Sequence, residues 1–233
     1  MSSKGNNFHR VLAEPWRVFR IMGEFVEGFD ELSDVTNAVS VFGSSKAPRT
    51  DPNYRLADSI AAALVKAGYA VITGAGPGAM EGANKGASRA GGDSIGLNID
   101  MPVMQQPNRF VRRLINFNFF FIRRVMFVKY SKAFVFMPGG YGTLDELTEI
   151  ITLLQTQKID RIPVILVGRT FWQGFLDWMK QEVLGKRRYI DPQDMKLFTV
   201  CETPQQVVAA LEAFYRPNAR KTRTAAASAG RRR

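Results

Sequence analysis

Short, uninterrupted apolar runs alternate with segments of helical periodicity along most of this chain after residue 37. The apolar runs have the length of strands, and because they lack alternation they predict strands that are buried on both faces. The predicted strands are 39–42, 70–73, 94–99, 133–137, 164–167 and 197–201, with a weaker strand at 114–117. The periodic segments between them predict helices at 54–67, 79–90, 120–131, 143–157, 171–184 and 204–215.

Helix signals are clear near both ends of the chain. Residues 15–31 predict a helix with a broad apolar stripe. The stripe comprises Trp16, Phe19, Ile21, Met22, Phe25, Val26 and Phe29. The last predicted helix opens with a capping box, in which Thr203 is the N-cap, Pro204 takes the first helical position and Gln206 completes the box.

Strands that alternate with helices indicate right-handed crossovers and a parallel sheet. The predicted fold class is therefore α/β, with one doubly wound, mostly parallel sheet flanked by helices in a single domain at 37–216. Residues 1–36 are predicted to be an N-terminal segment with one helix. Residues 217–233 form an Ala-, Ser- and Arg-rich basic tail, which we expect to be disordered because it has too few apolar residues to bury a core.

The positive charge of the chain is concentrated in this tail. The 233 residues contain 32 Lys and Arg against 21 Asp and Glu, which gives a formal net charge of +11. Six basic and no acidic residues lie at 217–233, so the rest of the chain carries only +5. We interpret the tail as a solubilising appendage in preference to a contact for nucleic acid. The milder charge of the body suits a small phosphorylated molecule.

The scarcity of His and Cys excludes several kinds of site. His9 and Cys201 are the single residues of their types, so a disulfide within the chain, a Cys-rich zinc site, a multi-His metal site and a Ser–His–Asp triad are excluded. We expect neither a metal nor a cofactor. The chain lacks an apolar run of membrane-spanning length, and residues 1–15 lack the apolar core of a signal peptide, so we expect a soluble, cytoplasmic protein.

Three predicted strand-to-helix turns, at 41–45, 72–81 and 136–146, are rich in glycine and other small residues. In a doubly wound sheet these turns lie beyond the carboxyl ends of the strands, where ligands bind. Glycine lets backbone N–H groups approach an anion, and the following helix adds the positive end of its dipole. One such turn can serve geometry alone, but three at one edge predict a phosphate-bearing ligand.

The second turn formally matches the dinucleotide-binding fingerprint through Gly74, Gly76 and Ala79. That fingerprint expects an acidic residue at the end of the next strand, whereas Asp93 lies at the start of its strand. It also belongs to the first βαβ unit of a chain, and here the turn is the second. A dinucleotide-dependent redox enzyme is therefore disfavoured, and the lack of a G-x-x-x-x-G-K-[ST] motif excludes a P-loop ATPase by motif.

In the third turn, Thr143 and Glu146 lie one helical turn apart on the same face. A carboxylate beside a phosphate-binding hydroxyl is unexpected in a site that only binds anions. It suits a site that also stabilises positive charge or activates water. The same spacing is a capping box, which would give both residues a structural role. The spacing alone leaves both interpretations open.

Residues 138–146 read PGGYGTLDE and match PGGxGTxxE, the signature of the LONELY GUY family, which residues 37–215 resemble. The resemblance implies a Rossmann-like fold, a homodimer or larger homo-oligomer, and a metal-independent hydrolase of cytokinin biosynthesis. Such enzymes cleave the N-glycosidic bond of an adenine-type nucleoside 5′-monophosphate, either a cytokinin riboside monophosphate or AMP. They release the free base and ribose 5-phosphate.

The resemblance assigns the catalytic roles to Arg123 and Glu146. The chain reads FIRR at 121–124 where plant-type members carry HERK. The expected substrate- and phosphate-binding residues are Gly43, Ser45, Gly76, Gly78, Met80, Glu81, Arg124, Gly139, Gly140, Gly142 and Thr143. The alternative function is a non-catalytic nucleotide-binding or sensor module of the same fold. Nucleic-acid binding through the basic tail is a third and less favoured possibility.

Overall fold

Parallel strands and helices make up the computed structural model of this protein, which describes residues 16–101 and 106–229, and only the backbone of 217–229. The strands in this part of the chain are β1 (Ala38–Phe42), β2 (Ala70–Thr73), β3 (Ser94–Ile99), β4 (Arg113–Phe117), β5 (Ser131–Phe136), β6 (Val164–Val167) and β7 (Thr199–Cys201). The α-helices are α1 (Arg17–Glu31), α2 (Pro52–Lys66), α3 (Ala79–Arg89), α4 (Phe120–Tyr130), α5 (Tyr141–Gln155), α6 (Arg169–Trp178) and α7 (Pro204–Ala229). A π-helical segment, Met179–Lys186, continues α6, and a 3-10 turn, Asp194–Lys196, precedes β7.

The strands form one parallel sheet in the order β4-β3-β2-β1-β5-β6-β7. The chain builds outward from β1 to β4 and then returns to place β5 on the other side of β1. Phe42 and Phe136 lie opposite each other at the carboxyl ends of these two central strands. The direction of winding reverses between them, so the crevice beyond their ends is where a doubly wound sheet binds ligands.

Both faces of the central strands are buried. Phe42, Phe134 and Phe136 belong to one apolar cluster, while Val41 and Val135 belong to the cluster on the opposite face. Because neither face meets water, these strands are apolar throughout, and the sequence pattern of unbroken apolar runs has this physical origin.

The predicted fold class is confirmed, since the sheet is parallel and helices flank it. Each predicted strand is present, and each boundary lies within two residues of its prediction. The helix predicted to begin at residue 54 begins at Pro52, because Asp51 caps it by accepting a hydrogen bond of 2.7 Å from the amide of Asn53. The helix predicted at 171–184 is divided into α6 and the π-helical segment.

The last helix extends well beyond its predicted end, from Pro204 to Ala229. At its start, the amide of Gln206 donates to Thr203 Oγ1 at 3.3 Å, which confirms Thr203 as the capping side chain. The side chain of Gln206 accepts from the amide of Glu202 at 2.7 Å, one residue earlier than a standard capping box. The division of the chain into an N-terminal segment, a central domain and a basic tail stays a prediction.

The apolar stripe of α1 is divided between core and solvent. Ile21 and Phe25 are partly buried and pack against the main core. Phe19, Met22 and Val26 are 63%, 57% and 67% exposed. The helix thus presents apolar side chains on a face that no described residue covers. Residue 15, the predicted first residue of this helix, lies outside the described residues.

The helices in the described part of the chain include none that is both long enough and apolar enough to span a membrane.

Candidate functional site

A cavity of about 420 Å³ opens at the carboxyl ends of β1 and β5. The turns that follow β1, β2 and β5 form its floor, and α4 and α5 form its walls. Its lining residues are Phe42, Gly43, Ser44, Ser45, Lys46, Gly74, Met80, Ile99, Met101, Phe120, Arg123, Phe127, Gly140, Tyr141, Gly142, Thr143 and Glu146. The cavity therefore lies at the switch point of the sheet, as the positions of the glycine turns predict.

The first and second glycine turns are in direct contact. The amide of Ala79 donates to the carbonyl of Ser44 at 2.9 Å. Gly78 has a φ of +69° and lies so close that a Cβ there would be 2.2 Å from the same carbonyl oxygen. A side chain at Gly43 would likewise meet the Cβ of Ala79 at 2.7 Å. Glycine at these positions lets the two backbones meet and shapes the cavity floor.

Hydrogen bonds from polar side chains that no sequence pattern predicted stabilise the second turn. Asn108 Nδ2 donates to the carbonyls of Ala75 and Gly76 at 2.9 and 3.0 Å. Ala75 has a left-handed φ of 63° and its amide donates to Thr73 Oγ1. Thr73 in turn donates to Asn84 Oδ1 at 2.6 Å. These bonds stabilise a backbone conformation that alanine rarely adopts.

The third turn leads into α5, and Gly140 is its N-cap. Among the described residues no side chain caps this helix, and Thr143 lies inside its first turn. The capping-box interpretation of Thr143 and Glu146 is therefore wrong. A Cβ at Gly139 would be 2.1 Å from Thr143 Oγ1, so glycine is required there for close approach. Gly140 and Gly142 have open space within the described chain where a Cβ would be.

Arg123 and Glu146 meet across the cavity from two helices. Arg123 Nη2 lies 3.4 Å from Glu146 Oε1. The two residues are only 8% and 7% exposed. Arg123 lies on the first turn of α4 and Glu146 on the second turn of α5, so neither can be paired with the other by local sequence pattern. Removing two charged groups this far from water costs folding free energy, and groups of this kind cluster at functional sites.

Burial changes the proton affinity of both partners. It raises the pKa of Glu146 to about 7, although the charge of Arg123 acts in the opposite direction. Burial also lowers the pKa of Arg123 from its ordinary value, an effect that Glu146 offsets. A carboxyl group with a pKa near neutrality is suited to exchanging protons during a reaction.

The guanidinium of Arg123 is held mainly by aromatic rings. Its central carbon lies 5.2 Å from the ring centroid of Phe120 and 5.6 Å from that of Phe127. Its buried Nε has no hydrogen-bond partner among the described residues. Gly74 lies on another side of the guanidinium, where a Cβ would be in ordinary van der Waals contact with Arg123 Nη1, at 3.6 Å. The guanidinium therefore retains donor capacity for a ligand in the cavity.

The structure brings most of the expected site residues into the cavity wall. Those that line it are Gly43, Ser45, Met80, Arg123, Gly140, Gly142, Thr143 and Glu146. Within the described part of the chain, those that do not line it are Gly76, Gly78, Glu81, Arg124 and Gly139. The substrate-binding roles assigned to both groups stay predictions.

Two of the residues outside the wall are engaged elsewhere. Glu81 Oε1 accepts from Arg49 Nε at 2.7 Å and from the hydroxyl of Tyr54 at 3.1 Å. Arg124 lies 3.2 Å from a carboxylate oxygen of Asp145 and 3.5 Å from one of Glu149. These contacts account for both side chains without a ligand.

Several residues of the cavity wall were not predicted from the sequence. Lys46 follows the first glycine turn and is exposed at the cavity. Its position directly after Ser45, in a turn expected to bind an anion, was a usable signal. Phe120 and Phe127 gave no such signal, because aromatic residues on a helix beside a strand are usually part of the core. No group of His, Cys, Asp and Glu among the described residues is arranged to hold a metal ion.

Comparisons with known proteins match a segment that includes Arg123, Glu146 and the third glycine turn. The model of a family described as "Possible lysine decarboxylase" matches residues 80–211. A probable cytokinin riboside 5′-monophosphate phosphoribohydrolase of Oryza sativa subsp. japonica is 29% identical over 92 residues, which is 40% of this chain and 36% of the relative. A cytokinin riboside 5′-monophosphate phosphoribohydrolase of Arabidopsis thaliana is 30% identical over 92 residues, 40% of this chain and 42% of the relative. The chain thus spans about two fifths of the length of these curated relatives.

Solved structures share the fold at lower identity. The molybdenum cofactor binding protein of Rippkaea orientalis has a TM-score of 0.58 and 20% identity, over 77% of this chain and 97% of that chain. The molybdenum cofactor carrier protein of Chlamydomonas reinhardtii has a TM-score of 0.54 and 20% identity, over 76% of this chain and 97% of that chain. At this identity the likeness extends to the fold only.

Proposed function

This chain belongs to the LONELY GUY family, the family described as possible lysine decarboxylase, and we propose that it hydrolyses the N-glycosidic bond of an adenine-type nucleoside 5′-monophosphate. The products are the free base and ribose 5-phosphate. The observation that carries the proposal is the buried pair of Arg123 and Glu146 beside the glycine turns. Phosphate binding alone has no use for a buried carboxylate, whereas a reaction that develops positive charge on a ribose does.

We assign binding of the 5′-phosphate to the start of α5. Gly140 and Gly142 leave their backbone open to the cavity, and Thr143 supplies a hydroxyl on the same turn. The positive end of the dipole of this 15-residue helix points at the same place. Lys46 adds a flexible positive charge at the cavity.

Glu146 is assigned to the reacting ribose. As the bond between C1′ and N9 breaks, its electron pair leaves with the base, and the ribose acquires oxocarbenium character. An ionised Glu146 stabilises that charge and accepts a proton from the water that adds to C1′. The departing base takes up one proton, so the overall reaction consumes one water molecule. A carboxyl pKa of about 7 suits this transfer.

Arg123 is assigned two roles: it lowers the pKa of Glu146 and it binds the substrate. Its charge keeps the pKa of Glu146 lower than burial alone would make it. Its Nε has no hydrogen-bond partner among the described residues, and we assign the guanidinium to the phosphate or to a ribose oxygen.

The proposal is tested by incubating the purified protein, without added metal, with AMP, GMP, CMP, UMP and isopentenyladenosine monophosphate. Chromatography of the products is expected to show adenine-type base and ribose 5-phosphate. Adenosine, which lacks the phosphate, is the matched control and is expected to stay intact. Binding of AMP without release of adenine would contradict the proposal and favour the non-catalytic nucleotide-binding module.

The proposed role of Glu146 predicts the pH dependence of the reaction. Because the ionised carboxylate is the active form and its pKa is about 7, kcat/KM is expected to rise tenfold per pH unit below pH 7 and to level off above it. A continuous assay of adenine release at pH values below and above 7 measures this acid limb of the pH profile. A profile that falls as pH rises through 7 would mean that the protonated carboxyl is the active form.

We also propose that the chain assembles as a homo-oligomer through the exposed apolar side chains of α1 and α4. On α1 these are Phe19, Met22 and Val26, and on α4 they are Phe121 and Val125, at 42% and 41% exposure. The two helices pack against each other, as the close approach of Gly28 to Met126 shows. Apolar stripes on adjoining helices are typical of a surface that another protein chain covers. A cytoplasmic location stays a prediction.

Replacing Met22 with glutamate is expected to shift the protein toward the monomer. A charge at the centre of the exposed stripe would have to be buried unpaired in the assembly, which weakens association by at least about tenfold. Size-exclusion chromatography with light scattering measures the change. Tyr189→Glu is the control, since Tyr189 is a 76% exposed aromatic residue outside both helices. A wild-type protein that is monomeric at micromolar concentration would contradict the assembly.

A further inference from the structure

A carboxylate of α1 is buried although this helix lies at the surface. Glu24 is only 7% exposed, and it and Gly28 are the buried residues of α1 within the described chain. Glu27, one turn away on the same helix, is exposed. A buried carboxylate on a largely exposed helix needs partners, because its loss of water is costly.

The partners of Glu24 are backbone amides at the start of α4. Glu24 Oε1 accepts from the amide of Asn118 at 2.5 Å and from that of Phe119 at 3.3 Å. Phe119 is the N-cap residue of α4, and among the described residues its own side chain makes no capping bond. Glu24 therefore accepts from the N-cap amide, as the acidic residue of a capping box does, and its negative charge also meets the positive end of the helix dipole.

This contact lies four residues before Arg123 in the chain, and one backbone hydrogen bond links the two places. The amide of Arg123 donates to the carbonyl of Phe119 at 3.2 Å, which is the first backbone bond of α4. Glu24 thus holds the residue on which the backbone position of Arg123 depends. The ring of Phe120, which lies against the guanidinium, follows directly in the same turn.

Further contacts fix α1 along the length of α4. A Cβ at Gly28 would lie 2.8 Å from Met126 Cε, so the two helices approach closely at this glycine. The hydroxyl of Tyr130, at the end of α4, donates to the carbonyl of Phe29 at 3.2 Å. The charge of Arg17 lies 5.4 Å from the ring centroid of Phe119. α1 lies outside the segment that the family model matches, 80–211.

We propose that Glu24 is a positioning residue for Arg123, and that α1, in the predicted N-terminal segment, sets the position of this arginine at the reaction site. The inference rests on the proposed function. Glu24 acts through the first turn of α4 and has no contact with the cavity in the described structure. A displacement of about 1 Å at a reacting group lowers rates by up to ~100-fold.

The test compares Glu24→Ala and Glu24→Gln with Glu27→Ala as the matched control. We expect Glu24→Ala to lower kcat/KM for AMP by about tenfold or more. Glu24→Gln, which keeps an oxygen acceptor, is expected to recover part of the loss. Glu27→Ala is expected to match the wild type.

The pH profile separates positioning from a general loss of folded protein. If Arg123 moves away, the pKa of Glu146 rises, because the positive charge of Arg123 lowers it. The acid limb of Glu24→Ala is therefore expected to shift to higher pH. A loss of folded protein would lower the rate at every pH without moving the limb. Lower activity with an unmoved limb overturns the proposal.

Hydrogen exchange of residues 118–124 gives a readout that does not need catalysis. Faster exchange in Glu24→Ala than in Glu27→Ala is expected, because the amide of Arg123 depends on the carbonyl of Phe119. If the wild type releases no base, the proposed function fails, and exchange at Arg123 alone then decides the positioning role. Unchanged exchange at Arg123 overturns that role whatever the activity.

Discussion

Replacing Glu146 with glutamine is expected to lower kcat/KM for base release from AMP by about 10³-fold. Glutamine has the same shape, but it is neutral and does not accept a proton. It therefore neither stabilises the oxocarbenium-like ribose nor activates water. Because Glu146 is buried beside Arg123, no solvent-exposed carboxylate can replace it easily. Adenine release at pH 8, where the wild-type carboxylate is mostly ionised, measures the effect.

Folding of this variant is expected to be intact. Burial raises the pKa of Glu146 in the folded protein above its ordinary value, so its contribution to stability is present at low pH and is lost as pH rises through about 7. At pH 8 a neutral amide avoids that penalty, and the melting temperature of Glu146→Gln is expected to equal or exceed that of the wild type. A lower melting temperature would mean that the ion pair with Arg123 outweighs the cost of burial.

Glu149→Gln is the matched control for this experiment. Glu149 lies one turn further along α5, and its nearest charged partner is Arg124, at 3.5 Å. The chemical change is the same, and the side chain does not line the cavity in the described structure. Activity within about twofold of the wild type is expected. Undiminished base release by Glu146→Gln would remove the carboxylate from the mechanism.

Replacing Arg123 with methionine is expected to lower kcat/KM by about 10²- to 10³-fold. Methionine keeps much of the apolar volume between Phe120 and Phe127, but the donors that face the cavity are lost. Without the positive charge the pKa of Glu146 rises further, so the carboxyl becomes neutral at pH 7. The acid limb of the pH profile therefore moves upward in the same variant.

Arg123→Lys separates charge from shape. Lysine keeps the positive charge but loses the planar fork that donates to two acceptors at once. We expect a partial recovery of kcat/KM relative to methionine, with the acid limb near its wild-type position. Arg112→Lys is the control, because the side chain of Arg112 is exposed and, among its described contacts, donates only to the carbonyl of Ser88. Equal rates for Arg123→Met and the wild type would show that Arg123 serves only the structure.

The glycine turns illustrate which features of the site a sequence pattern predicts. They follow predicted strands, and parallel strands bring their carboxyl ends to one edge, so their meeting at the cavity was predictable. The need for glycine at Gly78 and Gly139 has a local reason in each case, either a positive φ or a close approach. The supporting bonds from Asn108 were not predictable, because a side-chain amide far along the chain carries no spacing signal.

Thr143 and Glu146 illustrate the limit of a local motif. Their spacing fits a capping box and a catalytic turn equally well. Only the start of α5 at Tyr141, two residues before Thr143, excludes the cap. A shift of two residues in a helix start changes the role of a side chain, and sequence patterns do not define helix starts that closely.

The sequence by itself determined the parallel α/β sheet, its glycine-rich edge and the family signature at 138–146, because each depends on local periodicity or on contiguous residues. The tertiary structure decided which distant side chains meet. Arg123 and Glu146 lie on different helices, and Glu24 reaches the start of α4 from 94 residues away. It also decided which groups lose water, and thereby the raised pKa of Glu146. Contact and desolvation depend on the packing of whole elements, and no pattern along the chain encodes them.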